Sequence, residues 1–213
     1  MTLHTLKPRF QAVLHPAVRA LYRLGVTANQ VTIAAGAGSV VLGAVLALAA
    51  TTGHPECFLL LPIWLLLRMA LNAIDGMLAR EFAQSSTLGA YLNELSDVVS
   101  DAVLYLPFAL LGENGLALAI LVVFLANVAE MTSVLALANS GTRRNDGPLG
   151  KSDRALVFGV LGLLVGSGVA PDPWLAWALA FVAILLLLTI ANRMRYGIAD
   201  AGDQRRQSAA NRQ

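Results

Sequence analysis

The chain is short of charge. Charged residues make up 13% of its 213 residues and hydrophobic residues 57%, whereas an ordinary soluble domain carries about a quarter charged residues. With mean hydropathy at +0.66, this deficit excludes a free-standing soluble domain and predicts an all-α integral membrane protein. The single cysteine, Cys57, excludes an intrachain disulfide and reads as a small apolar helix residue. Between Met1 and Val26 no continuous apolar run leads to a small-residue cleavage site, so no signal peptide is expected. There is neither a repeat of fixed period nor a long linker. The net charge is only +2, and no nucleic-acid partner is expected.

Long apolar runs are abundant. Six lie near 30–51, 57–80, 88–111, 115–139, 153–170 and 173–194, each long enough to cross a hydrocarbon core of about 30 Å. Ahead of them, Phe10, Val13, Leu14, Ala17, Val18 and Leu21 fall on one helical face, with Lys7, Arg9, His15, Arg19 and Arg23 elsewhere. That pattern predicts an amphipathic helix lying in the headgroup layer, bent or split at Pro16. Thr27 to Thr32 supply an N-cap for the first span. The expected architecture is six transmembrane helices preceded by an N-terminal amphipathic interfacial helix. It divides into a juxtamembrane helix over 1–27, a membrane domain over 28–196 and a polar, poorly ordered cytoplasmic tail over 197–213. The loops Thr52–Glu56, Gly112–Gly115 and Ala170–Pro173 contain no Lys or Arg, while the alternate segments are basic. By the positive-inside rule this predicts a multi-pass protein of the cell (inner) membrane with both termini cytoplasmic.

The polar residues concentrate between Asn72 and Asp101, in a stretch with five acidic residues. Ionisable groups inside a membrane domain are costly and usually functional. Counting back from Arg80 at 1.5 Å per residue puts Asp75 about 7 Å in, Asn72 about 12 Å and Arg68 about 18 Å. Counting forward from Leu88 puts Asn93 about 7 Å in, Asp97 about 13 Å and Asp101 about 19 Å. A short connection makes the two helices antiparallel neighbours. Asp75 then lies level with Asn93, Asn72 with Asp97 and Arg68 with Asp101. Two facing rows of oxygen ligands suit a hard cation, Mg²⁺ or Mn²⁺, which brings phosphate with it. Gly76 permits close approach of a ligand backbone or phosphate, and Arg80 is placed to pair with phosphate. Arg68 and Asp101 are expected as an ion pair. Glu130, with Asn127, either supports the site or joins helices by hydrogen bonds.

These residues resemble the signature of the CDP-alcohol phosphotransferase family, D-x2-D-G-x2-A-R-x8-G-x3-D-x3-D. Here it stands as Asn72, Asp75, Gly76, Ala79, Arg80, Gly89, Asn93 and Asp97, with every spacing kept over 26 residues and Asn at the first and third aspartate positions. The entry Thr27-Ala28-Asn29-Gln30-Val31-Thr32 is similar to the family's T-P-N-x-x-T. The resemblance implies transfer of a phosphatidyl (substituted phosphate) group from a CDP-linked donor, CDP-diacylglycerol in bacteria, to an alcohol acceptor with release of CMP. It implies divalent metal held at Asn72, Asp75, Asn93 and Asp97, with Asp97 also the catalytic base. It further implies a nucleotide and phosphate pocket of Asp75, Gly76, Ala79, Arg80, Ser86 and Gly89, together with membrane-lipid contacts and a homodimer. In relatives with phosphorylated acceptors, basic residues of the later regions bind the acceptor phosphate. Here these are Arg143, Arg144, Lys151, Arg154, Arg193 and Arg195, which equally fit positive-inside topology.

The two asparagines leave two readings open. Asn keeps an oxygen ligand but no charge, and two carboxylates balance one divalent ion where four balance two. Asp75 and Asp97 are retained, which favours an active transferase. The alternative is a catalytically impaired member that binds nucleotide or lipid without transfer.

Overall fold

The computed structural model describes residues 3–112 and 115–210. Arg212 lies outside them, as do the side chains of Lys7, Arg9 and Arg205. The described chain is helical throughout: α1 (Leu3–Arg23), α2 (Ala28–Thr52), α3 (Leu60–Glu81), α4 (Thr87–Tyr105), α5 (Leu116–Ser140), α6 (Lys151–Gly166) and α7 (Trp174–Ala210). Short 3-10 turns, Pro55–Leu59 and Leu106–Leu110, precede α3 and follow α4.

Local chemistry sets the boundaries. Thr27 Oγ1 accepts from the Gln30 backbone, and Gln30 Oε1 accepts from the Thr27 backbone, so α2 starts on a reciprocal cap. Ser86 Oγ accepts from Gly89 N at 3.0 Å and starts α4. At the start of α6 the Gly150 amide donates to Asp153 at 2.9 Å. Gly53 and Gly141 close α2 and α5 in the left-handed conformation that only glycine adopts without strain.

Among the described residues, four helical segments are long and apolar enough to cross a membrane: Ala28–Thr52, Pro55–Glu81, Leu116–Ser140 and Trp174–Gln204. The runs near 88–111 and 153–170 do not join them. The first is interrupted by Glu94, Asp97 and Asp101 on α4. The second forms a helix of 16 residues, which reaches only ~24 Å. Two further expectations are corrected. Pro16 does not split α1, which runs unbroken from Leu3 to Arg23. The region after Tyr196 is not a loose tail, since α7 continues through it to Ala210 as one helix of 37 residues.

α2 packs against α3 and α4, α3 against α6, and α5 against α7. The core between them is aliphatic and aromatic. Tyr105 stacks on Phe158 at 3.7 Å between centroids, and Phe108 meets both Phe58 and Phe158 edge-on. Outward faces carry apolar side chains as well, among them Val41, Leu48, Ile63, Leu66, Phe124 and Trp177. A surface this continuously apolar suits lipid rather than water. α1 is not a free arm. Val18 is buried, and Leu14 and Leu21 join it against Ile74, Met77 and Leu78 of α3. Tyr22 stacks on Phe82 at 4.0 Å, and His15 faces Glu81 at 3.0 Å. Phe10 and Val13, from the same expected face, remain exposed.

Helices approach this closely because small residues line α2. A Cβ at Gly43 would collide with the backbone carbonyl of Val103, and one at Gly38 with the Trp64 ring. A Gly43→Val substitution should force α2 away from α4 and lower stability by roughly 1–3 kcal/mol, read as a lower Tm in detergent.

Candidate functional site

The ends of α2, α3 and α4 enclose a cavity of about 350 Å³. From α3 it receives Asn72, Asp75, Gly76, Ala79 and Arg80, and from α4 and its cap Ser86, Gly89 and Asn93. The spacing of the central stretch therefore gathers these residues around one space. Helical period puts Asn72, Asp75, Gly76, Ala79 and Arg80 on one face of α3. The N-termini of α2 and α4 both open on the cavity, and such ends favour anions.

Two glycines shape it. A Cβ at Gly76 would stand 3.1 Å from Arg80 Nη1, so the missing side chain lets the guanidinium lie along its own helix. A Cβ at Gly89 would meet Asn29 Oδ1 at 2.8 Å and Ser86 Oγ at 3.1 Å. The connection from α3 to α4 closes the rim. Ala83 takes a left-handed φ of 54°, uncommon for a residue with a Cβ. This turns Gln84 so that its Oε1 accepts from the Ala28 amide at 2.7 Å.

Asp75 is buried, and its Oδ2 accepts from Thr32 Oγ1 at 2.8 Å. Asp97 stands behind Asn72 rather than on the cavity wall. Its Oδ1 accepts from Asn72 Nδ2 at 3.2 Å and from Arg68 Nη2 at 3.1 Å, and its Oδ2 is held by Lys151 Nζ. Arg68 is 4% exposed and also bonds Asp101 at 2.7 Å. Counting along the helices thus places Asn72 against Asp97 and Arg68 against Asp101. Arg68 forms the expected pair with Asp101 and also bridges it to Asp97.

The basic residues expected to take the acceptor divide into separate groups. Arg154 and Arg193 are each 1% exposed. Arg154 bonds Asp101 through Nε at 3.1 Å and Nη2 at 2.9 Å, and Glu130 through Nη2 at 3.0 Å. Arg193 lies 3.4 Å from Glu130 and donates to the Ala129 carbonyl. Arg143 bridges Glu94 and Glu130, and the bond to Glu94 raises its pKa. Arg144 faces Asp146 and Asp200. Arg195 is exposed beside the Tyr196 ring. The loop that carries Arg143 and Arg144 is tied down: Leu149 N donates to Thr189 Oγ1, and Ser133 Oγ donates to the Arg144 carbonyl.

A divalent ion implies oxygen ligands. Among the described residues no three His, Cys, Asp or Glu side chains form a metal-holding group. Asn72, Asp75 and Asn93 nevertheless bring hard oxygens to one cavity, with Asp97 bonded to Asn72. That donor set suits Mg²⁺ or Mn²⁺; of its two carboxylates, Asp75 lines the cavity, while Asp97 is bonded to Arg68 and Lys151.

Residues 25–192 match the family model described as CDP-alcohol phosphatidyltransferase. The chain belongs to this family. It is 50% identical over 197 residues to inner membrane protein YnbA of Escherichia coli (strain K12), spanning 92% of this chain and 96% of that one. It is also similar to a phosphatidylinositol phosphate synthase of Mycobacterium marinum, 26% identical over 88% of this chain and 78% of the synthase. In fold the chain is similar to the phosphatidylinositol phosphate synthase of Mycobacterium tuberculosis solved with CDP-DAG bound. The TM-score is 0.69 at 21% identity, covering 85% of this chain and 92% of that one. A structure of the same synthase with manganese and citrate gives 0.68 at 20% identity, covering 85% and 87%.

Two cavity residues of this family member, Asn29 and Thr32, escape a reading of the central stretch. Their signal is present in the entry sequence, where capping explains Thr27 and Gln30 but leaves Asn29 and Thr32 without a role. Substituting Arg68 by Leu would leave Asp97 and Asp101 short of a buried cation. Breaking a buried pair from one side typically costs about 3–5 kcal/mol. The variant is expected to show a large fall in Tm, or loss of folded protein, on size exclusion in detergent.

Proposed function

We propose that the chain is an active CDP-alcohol phosphatidyltransferase of phospholipid biosynthesis. It transfers a phosphatidyl group from CDP-diacylglycerol to an alcohol and releases CMP. The observation that carries this reading is the single cavity bearing Asn72, Asp75, Gly76, Ala79, Arg80, Gly89 and Asn93 beneath two helix N-termini. Membership of the family, and a fold shared with a synthase that holds CDP-DAG, support it.

The diphosphate lies over Gly76 and Gly89, where there is no Cβ, within reach of Arg80 and the α4 N-terminus. Asp75, Asn72, Asn93 and Asp97 would hold one Mg²⁺ or Mn²⁺. When bound, it supplies charge stabilisation to the diphosphate as CMP departs. Thr32 fixes the Asp75 carboxylate. Asp97 takes the proton of the acceptor hydroxyl. It does so once Lys151, a flexible side chain about one-third exposed, releases its Oδ2.

The membrane arrangement proposed with this activity has six crossings. α4 and α6 are carried through by packing against α2, α3 and α5 rather than by their own hydropathy. α1 lies at the cytoplasmic face of the inner membrane, where both termini reside. A homodimer is the assembly expected of the family.

Purified protein in detergent should release CMP from CDP-diacylglycerol in the presence of Mg²⁺ or Mn²⁺ and a suitable alcohol. Asp97→Asn should lower that rate by at least about a hundredfold. Tight CDP-diacylglycerol binding without CMP release across a broad acceptor panel would instead establish the binding-only alternative. Thr32→Val should weaken Mn²⁺ affinity roughly ten- to hundredfold, as loss of a partner that orients a metal ligand does. An unchanged Mn²⁺ titration would remove Thr32 from the site.

A further inference from the structure

The most deeply buried cations among the described residues, Arg154 and Arg193, converge with Arg143 on one carboxylate. Arg154 Nη2 lies 3.0 Å from Glu130 Oε1, Arg193 Nη1 lies 3.4 Å from the same oxygen, and Arg143 Nη2 lies 3.4 Å from Oε2. Three guanidinium groups brought to one point by α6, α7 and the connecting loop form the kind of seat in which proteins hold phosphate. In this chain the seat already contains an anion, and that anion is covalently its own.

The surrounding cations are engaged as well. Arg68, Arg143, Lys151, Arg154 and Arg193 are each bonded to a carboxylate of Glu94, Asp97, Asp101 or Glu130. To enter the seat, a phosphate on the acceptor would have to expel Glu130 into a region where an unpaired carboxylate is very costly. A hydroxyl compound without charge does not have to displace it. One donor in the seat, Arg154 Nη1, is buried without a partner, and a neutral oxygen satisfies it while Glu130 stays in place.

We infer that Glu130 is a built-in anion filling a three-arginine seat, and that the acceptor is therefore an alcohol or polyol carrying no phosphate. This rests on the transferase reading above and narrows its acceptor.

The test has two arms. In the first, protein in detergent receives CDP-diacylglycerol and Mn²⁺ with either neutral polyols or their phosphate esters, glycerol against glycerol 3-phosphate among them, and CMP release is followed. In the second, binding of radiolabelled inorganic phosphate is measured for the unmodified protein and for Glu130→Gln. The neutral alcohols should be the better acceptors by at least about tenfold. The unmodified protein should bind phosphate weakly, and Glu130→Gln should bind it roughly ten- to hundredfold more tightly, as expected for freeing charge-assisted hydrogen bonds. A preference for the phosphate esters overturns the inference while leaving the transferase reading intact. If no acceptor yields CMP, the transferase reading fails, and the phosphate arm decides the inference alone. There, tight phosphate binding by the unmodified protein overturns it. Should Glu130→Gln fail to fold, acceptor preference and phosphate binding by the unmodified protein still decide the matter.

Discussion

The structure depends on a buried circuit of opposite charges. Glu94 on α4 is joined through Arg143 to Glu130 on α5, then through Arg154 on α6 to Asp101, which is again on α4. Arg68 attaches α3 to this circuit and Arg193 attaches α7. Buried ion pairs are weak contributors to stability compared with a well-packed apolar core, because desolvation cancels most of their attraction. Their effect here is positional. The buried charges among them are tolerable only beside their partners, so five helices share one registration along the stretch of α4 from Glu94 to Asp101. The apolar core follows directly: Tyr105, one turn beyond Asp101, begins the aromatic stack with Phe158.

That registration fixes what lies above it. Asp97 touches both layers, bonding Arg68 of the circuit and Asn72 of the cavity. The cavity wall therefore rests on a foundation that cannot slide. The two asparagines suit this setting. In an empty site, carboxylates at 72 and 93 would add repulsion beside Asp75 and Asp97. Asparagine keeps the oxygen and removes that repulsion. A site with fewer fixed negative charges needs less bound cation to stay folded.

Much of this was legible in the residues. The spacing from Asn72 to Asp97 carries both the cavity and the family, and counting along two antiparallel helices sets Arg68 against Asp101. Other features were hidden for physical reasons. Arginines that bind a substrate phosphate, obey the positive-inside bias or pair with buried carboxylates look identical in a sequence. Only the direction of the side chain distinguishes Arg154 and Arg193 from the exposed Arg195. Thr32 was absorbed into a capping pattern that belongs to Thr27 and Gln30. α4 does not read as a span because a sliding window counts its polar groups without registering that neighbours satisfy them, and α6 does not because its helix is only 16 residues long. The region after Tyr196 is polar, yet it remains helical where Asp200 meets Arg144 and Gln204 meets the Ser140 carbonyl.

The length of α7 has a mechanical consequence. At 37 residues the helix is ~55 Å long, well beyond a hydrocarbon core of about 30 Å. The surplus is braced on the loop between α5 and α6 through Arg144 and Asp200. The part of the helix beyond Tyr196 is thereby held at a set distance and bearing from the cavity, as a lever arm fixed at its base.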